Sequence, residues 1–191
     1  MSGIAPPELA AAVCNAGALG SIGCAALSST MVREQVTTLR QATNPPFNLN
    51  FFIHAQPRIG PQAAERVRAK LAPYFEEFRL GPAPEPKEPI PTFDEERLRL
   101  FLEIRPPVVS FHFGLPGAAA IRQIKEAGCI VLSSATTVAE ARLLEANGAD
   151  AIIAQGFEAG GHRGSFSGSP GAAMVGTVAL VPKSSMRCTY R

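Results

Sequence analysis

The sequence predicts an α/β chain, a partial TIM (β/α)8 barrel of about five parallel strands alternating with helices. Three observations point there. Short apolar runs such as Val108-Val109 and Ile152-Ile153 are β-branched, as strands covered on both faces should be, and they alternate with stretches at helical spacing. No two of these runs are joined by a tight hairpin, so neighbouring strands run parallel. Polar residues recur where the strands end, at Asn50, His54, His112, Ser133, Ser134 and Gln155, and in a barrel those ends form one face. A doubly wound sheet would gather its ligand groups near one switch point, often behind a Gly-x-Gly-x-x-Gly after the first strand. The glycine-rich residues 17–23 span a helix end and a strand, which is the wrong context for that motif.

In chain order, residues 8–16 form a helix with Leu9, Ala12, Val13 and Ala16 on one face, and Gly17 stops it. Residues 19–24 are an apolar run suited to a buried strand. Ser28 or Ser29 caps a second helix to about residue 42, with Met31, Val32, Val36 and Leu39 at core spacing. Pro45-Pro46 ends it, and residues 47–53 make the next strand. Residues 61–80 are a longer helix, charged on one side and carrying Ala64, Val67, Leu71 and Phe75 on the other. Five prolines within residues 81–91 mark an extended, exposed linker. Helix returns over 93–104, with Asp94 and two glutamates near its positive N-terminal end. Strands at 108–111, 130–133 and 151–154 then alternate with helices at 116–127 and 137–146.

The 191 residues are 46% hydrophobic, enough for the core of one ordinary domain. The net charge of +2 is spread along the chain, so no basic stripe suggests a nucleic-acid partner. Cys14, Cys24, Cys129 and Cys188 form no Cys-x-x-Cys pair, which favours reduced thiols and a cytoplasmic protein. The Ala- and Gly-rich residues 9–27 lack a basic leader, and Glu8 and Asn15 break them, so they do not read as a signal sequence. No uninterrupted apolar run approaches membrane-spanning length, and no membrane partner is expected.

Candidate chemistry lies at the strand ends. Residues 155–164, Gln-Gly-Phe-Glu-Ala-Gly-Gly-His-Arg-Gly, follow the last strand directly and hold four glycines among a carboxamide, a carboxylate, an imidazole and a guanidinium. Glycines let such a loop bend sharply and approach a ligand, although a plain surface loop also uses these residues. His112 is the leading candidate for acid–base work, because an imidazole titrates near neutrality. Phe111 and Phe113 on either side would desolvate it and keep it neutral; a core histidine satisfied by backbone is the competing reading. His162 could line a pocket or contact a phosphate, and His54 reads as exposed. A metal site fits poorly, since the three histidines lie on separate segments without His-x-x-x-His or Glu-x-x-His spacing. Ser133-Ser134 lacks the Gly-x-Ser-x-Gly elbow of a nucleophile. The carboxamides of Asn50 and Gln155 offer donor and acceptor together, suiting the edge of a flavin ring or, equally, the capping of strand-end backbone.

Several segments in order resemble the nitronate monooxygenase family, formerly called 2-nitropropane dioxygenases. They are Pro7-Glu8-Leu9-Ala10-Ala11-Ala12-Val13 with Asn15-Ala16-Gly17, Leu19-Gly20-Ser21-Ile22-Gly23, Asn48-Leu49-Asn50-Phe51-Phe52, and residues 108–116, 132–140 and 155–164. The resemblance implies a TIM barrel that binds FMN non-covalently and oxidises alkyl nitronates, or neutral nitroalkanes, with molecular oxygen. It implies flavin contacts at Asn50, Gln155 and Gly160, a catalytic base at His112 and a substrate-pocket position at His162. Related activities of the same motif set offer an alternative, an FMN-dependent NAD(P)H:quinone or enoyl reductase.

The chain departs from the family pattern at both ends. Met1-Ser2-Gly3 stands where the family has completed its first strand, and the family pattern continues beyond Val181-Pro182. The expectation is an incomplete FMN-binding barrel domain over 1–182, a polar tail over 183–191, and weak or no FMN binding alone. Open barrel edges at 19–24 and 151–154 would then favour a homo-oligomer or association with another chain. An inactive fragment packing with a full-length relative is the non-enzymatic alternative.

Overall fold

The computed structural model describes residues 5–55, 60–85, 90–168 and 174–185. The expectations for Met1-Ser2-Gly3, for the middle of the proline-rich linker, and for Cys188 with the rest of the tail beyond 185 lie outside the described residues. The chain divides into two units, Met1–His54 with Pro91–Arg191, and Ala55–Ile90.

The larger unit holds a five-stranded, all-parallel sheet whose strands lie side by side in chain order. Its elements are α1 (Pro7–Asn15), β1 (Gly20–Gly23), α2 (Ser29–Ala42), β2 (Phe47–Phe52), then α4 (Glu95–Ile104), β3 (Val108–His112), α5 (Ala118–Glu126), β4 (Ile130–Ala135), α6 (Val138–Ala146), β5 (Ala151–Ala154) and α7 (Thr177–Ser185), while α3 (Pro61–Glu77) belongs to the smaller unit. Strictly sequential order decides between the two α/β architectures. A doubly wound sheet must reverse its order at a switch point, and this one does not. With right-handed crossovers, the helices α2, α4, α5 and α6 of this unit are laid on the same face of its sheet.

The core follows that geometry. Ile22, Leu49, Phe51, Val109, Phe111 and Val131 share one cluster with Cys14, Val32, Leu39, Phe101 and Ile124 of the helices. Fully burying a side chain such as Phe101 or Phe111 contributes about 1.5–3 kcal/mol. Alternate strand positions face the other way, and there the sheet is polar: Ser21, Asn48, Asn50, Ser110 and His112. Asn48 Nδ2 donates to Ser21 Oγ and Ser110 Oγ at 2.8 Å each, and Asn50 Nδ2 donates to Ser110 Oγ at 2.9 Å.

Helix starts follow local chemistry. Ser28, Asp94 and Thr137 each accept a backbone N–H three residues on, capping α2, α4 and α6. The apolar face of α1 is not the expected one. Ala10, Ala11 and Cys14 are buried, whereas Leu9 is 52% exposed. The reason is a close helix–strand approach: a Cβ on Gly20 would stand 2.0 Å from the Ala10 carbonyl oxygen and 2.6 Å from Cys14 Sγ. Only small side chains fit there. Met31 of α2 is likewise exposed, while Val32, Val36 and Leu39 are buried. Helix α7 runs to Ser185 through Pro182, where the sequence pattern ends. A helix-interior proline removes a hydrogen bond and so hides the helix from a propensity reading.

The smaller unit is built on α3 (Pro61–Glu77), and within it no side chain of that helix is buried. Arg68 pairs with Glu85 across its turn. In the larger unit, the His54 N–H donates to Thr92 Oγ1 at 3.3 Å and the Phe93 N–H to the Phe52 carbonyl at 3.1 Å, tying together the points where the chain leaves and returns. Cys14, Cys24 and Cys129 are free and buried. Among the described residues no helix is long and apolar enough to cross a membrane.

Candidate active site

The polar sheet face ends, at the C-terminal edge of β2 and β3, in the paired residues Phe52 and His112. Beyond them the chain turns sharply. Phe113 has a φ of 71°, a left-handed conformation that a bulky side chain seldom adopts. The turn is held from behind by Ser133, whose fully buried hydroxyl sits 2.9 Å from the Gly114 carbonyl and 3.3 Å from that of Phe111. Both bonds brace the turn from the β4 side.

The strained turn aims the Phe113 ring back at the sheet. It lies 4.5 Å from the His112 ring and 5.3 Å from Phe52, centroid to centroid. Phe52 is in turn 5.5 Å from both His112 and His162, and Phe113 is 6.4 Å from His54. The three histidines therefore meet around two phenylalanines, although their segments are far apart in sequence. His54 is half-buried rather than exposed. Among the described residues, no group of His, Cys, Asp and Glu is placed to hold a metal ion. Phe111 does not flank His112 as its sequence position suggests, because strand alternation turns it into the helix-side core against Phe93. Phe113 does flank the imidazole, and Phe52 takes the place of Phe111.

His112 is buried, and that burial pushes its imidazole below the ordinary value of 6.5. A hydrogen bond to the His162 carbonyl works in the opposite direction without cancelling it, and the charge of His162 adds to the lowering. That bond runs from His112 Nε2–H to the His162 oxygen at 2.9 Å. The same oxygen accepts Gln155 Nε2 at 3.0 Å, and Gln155 Oε1 accepts the Gly164 N–H at 2.7 Å. Gly164 is pressed so close to His112 that a Cβ there would stand 2.6 Å from Cε1 and 2.9 Å from Nδ1.

A second clamp holds the far part of this loop, and little in the sequence announces it. Glu140, fully buried in the first turn of α6, accepts four hydrogen bonds. Oε2 takes the Thr136 N–H and Oγ1–H at 2.7 Å each; Oε1 takes the Phe166 N–H at 2.8 Å and the Ser167 N–H at 3.0 Å. Burial alone would raise its carboxyl, but the hydrogen bonds from Ser167, Thr136 and Phe166 outweigh it and hold the group below 4.5. Thr137-x-x-Glu140 does carry the signature of a capping box. Here the glutamate reaches past the cap to the β5–α7 loop.

The five expected positions thus separate. His112, His162 and Gln155 come together through one carbonyl oxygen. Asn50 lies on the same sheet face, bonded to Ser110. Gly160 sits in the exposed loop with nothing within 4 Å of where a Cβ would be. Glu140 and Phe52 are contributors that side-chain chemistry alone did not single out, while Ser133 and Gly164, noticed as a strand-end and a loop residue, act through backbone hydrogen bonds and close contact.

A parallel sheet in sequential order, with polar groups and an imidazole gathered at the strand C-terminal ends, defines the (β/α)-barrel class, in which that end of the sheet is the ligand face. Within that class the chain belongs to the nitronate monooxygenase family, whose model matches residues 1–186. It is 42% identical over 190 residues to a nitronate monooxygenase of Paraburkholderia phytofirmans, covering 98% of this chain and 52% of the relative. It is 44% identical over 183 residues to a nitronate monooxygenase of Pseudomonas aeruginosa, covering 95% of this chain and 52% of the relative. Among solved structures, nitroalkane oxidase from Streptomyces ansochromogenes superposes with a TM-score of 0.82 at 36% identity, over 96% of this chain and 53% of that one. The chain spans about half the length of the relatives it matches.

Proposed function

We propose that this chain contributes the proton-handling half of a site that oxidises alkyl nitronates with molecular oxygen, using FMN. The observation that carries this is His112, an imidazole kept neutral by burial at the end of β3, inside a chain of the nitronate monooxygenase family. The residues present fit a flavin in two respects. Among the described residues Asn48 Oδ1, buried on the polar sheet face beside Asn50, has no hydrogen-bond partner, so an acceptor is left there for a ligand's donor. The open backbone at Gly160 permits the close approach of a planar ring. Asn50, Gln155 and Gly160 would hold the cofactor, and His162, at the exposed edge of the aromatic cluster, would line the substrate pocket. When bound, FMN would supply the redox chemistry that links substrate oxidation to molecular oxygen.

The chain's own part is to prepare the substrate. A carbonyl can only accept, so the His112 Nε2 proton is committed to His162 and the lone pair of the neutral ring is on Nδ1. With a neutral nitroalkane, Nδ1 takes the α-proton, and the C–H electrons become the C=N bond of the nitronate. Phe52 and Phe113 exclude water from the imidazole, which keeps it unprotonated at neutral pH.

The test is anaerobic mixing of the FMN-reconstituted chain with an alkyl nitronate or with NADH. Bleaching of the flavin by the nitronate alone is expected. Rapid bleaching by NADH would replace this reading with an NAD(P)H:quinone or enoyl reductase. A chain that retains no flavin through gel filtration, and co-purifies with a longer relative, would support the inactive-fragment alternative.

A further inference from the structure

We propose that Gln155 is a positioning residue for His112: its carboxamide fixes the His162 carbonyl so that the imidazole proton stays on Nε2 and the lone pair on Nδ1. The inference rests on reading His112 as the base of the reaction above.

The geometry is that of a two-pronged clamp. Gln155 Nε2 donates to the His162 carbonyl at 3.0 Å while its Oε1 accepts the Gly164 N–H at 2.7 Å, so one side chain holds the backbone on both sides of Arg163. Only one amide orientation works. Flipping it would set oxygen against carbonyl oxygen and N–H against N–H, losing both bonds. Gln155 is itself anchored at the sheet, its N–H donating to the Ala135 carbonyl at 2.9 Å. The clamped carbonyl then presents its second lone pair to His112 Nε2 at 2.9 Å. Gly164 closes the arrangement from the other side, since the loop cannot move toward the imidazole without pressing on Cε1 and Nδ1.

A free imidazole interconverts between its two neutral tautomers, and the hydrogen bond made by one nitrogen fixes the role of the other. Without Gln155 the His162 carbonyl has no lateral restraint and Gly164 loses its acceptor. The loop can then rotate, and nothing requires the proton to remain on Nε2. Part of the population would carry it on Nδ1, where it cannot act as base from that nitrogen. Gln155 keeps one hydrogen and one lone pair uncommitted, so this role is compatible with a ligand contact by the same carboxamide.

Long-range ¹H–¹⁵N spectra of the 191-residue chain test this directly, because only three histidines contribute. His112 is assigned by its absence in His112→Gln. At a pH where the imidazoles are neutral, wild-type His112 is expected to show a protonated Nε2 and an unprotonated Nδ1. In Gln155→Met, which keeps length but neither donates nor accepts as an amide does, the two nitrogens should move toward averaged shifts while His54 is unchanged. Gln155→Glu retains the acceptor for Gly164 but not the donor, and should average likewise. A wild-type His112 protonated on Nδ1 would overturn the proposal even if neither variant folds, and so would a folded variant that keeps the wild-type pattern. Nitronate turnover does not enter these readouts. A chain that shows the expected tautomers but oxidises no nitronate would sink the activity and leave the clamp standing.

Discussion

Gly164 and His112 touch across the β5–α7 loop, with no room for a side chain between them: a methyl group on Gly164 would stand 2.6 Å from the imidazole Cε1. The backbone at Gly164 does not have a positive φ, so what selects glycine there is contact alone. Gly164→Ala should therefore destabilise the chain by about 1–3 kcal/mol, the usual cost of overpacking a filled site. Gly160→Ala, four residues earlier, meets nothing within 4 Å and should change stability by less than about 0.5 kcal/mol. Urea unfolding of the two variants checks the contrast. Equal destabilisation would mean that the loop, not the His112 contact, sets the constraint.

Phe113 offers a comparison that separates backbone strain from ring packing. Its φ of 71° costs any residue with a Cβ about 1–2 kcal/mol relative to glycine. Both Phe113→Ala and Phe113→Gly lose the ring contacts with His112 and Phe52, but only the glycine variant sheds the strain. Phe113→Gly should be the more stable of the two by about 1 kcal/mol, and both should raise the His112 pKa toward 6.5 as water reaches the ring. Thermal unfolding and an NMR titration of His112 provide the two readouts.

These two sites also show how much the sequence reveals. The βα alternation was legible because buried parallel strands read as β-branched runs, and Ser28 announces a helix start through its side-chain oxygen. His112 and Gln155 could be singled out because polar groups at strand ends are rare enough to notice. What the sequence conceals is the partner of each group. That Phe111 faces the core while Phe52 packs on His112 depends on strand register. That Gln155 serves the loop backbone depends on where residues 162–164 return. Glu140 looks like an ordinary capping glutamate until the loop is seen to dock on it. The exposed Leu9 shows the same limit, since helix periodicity identifies a stripe but not how near the sheet will come.

That nearness is itself testable at Gly20. Alanine there would drive a Cβ to 2.0 Å from the Ala10 carbonyl oxygen, which is backbone and cannot rotate away. Helix α1 must lift from β1, exposing Cys14, now buried. The expected cost is about 3 kcal/mol, at the upper end of overpacking. Rising reactivity of Cys14 toward a thiol reagent under native conditions would report the lifted helix. A Gly20→Ala chain with wild-type stability and a protected Cys14 would show that α1 does not dock as described.

The pH dependence of stability should separate His112 from Glu140, because both are depressed but in different windows. Burial lowers the folded-state pKa of His112 below 6.5, so on acidification the unfolded chain binds its proton first. Stability is then complete above about 6.5 and declines as pH falls toward the folded value. Glu140 follows the same sign lower down. Burial favours its neutral form, but the bonds from Ser167, Thr136 and Phe166 prevail, so stability is retained above 4.5 and lost as pH falls through the folded pKa. His112→Gln should flatten the first decline and leave the second. Glu140→Gln should flatten the second, at a cost of about 1–3 kcal/mol at neutral pH because a carboxamide cannot accept all four donors. Glu103 is lowered too by its hydrogen bond from Arg33, and Glu158 by backbone and Thr177 hydrogen bonds, but both are exposed, where such contacts contribute little to stability. Urea titrations from about pH 3.5 to 7.5, a span that contains the reference carboxylate and imidazole values, would therefore show Glu140 as the main source of the acidic decline. A Glu140→Gln chain that still loses stability below 4.5 at the wild-type rate would remove the carboxylate clamp from the account.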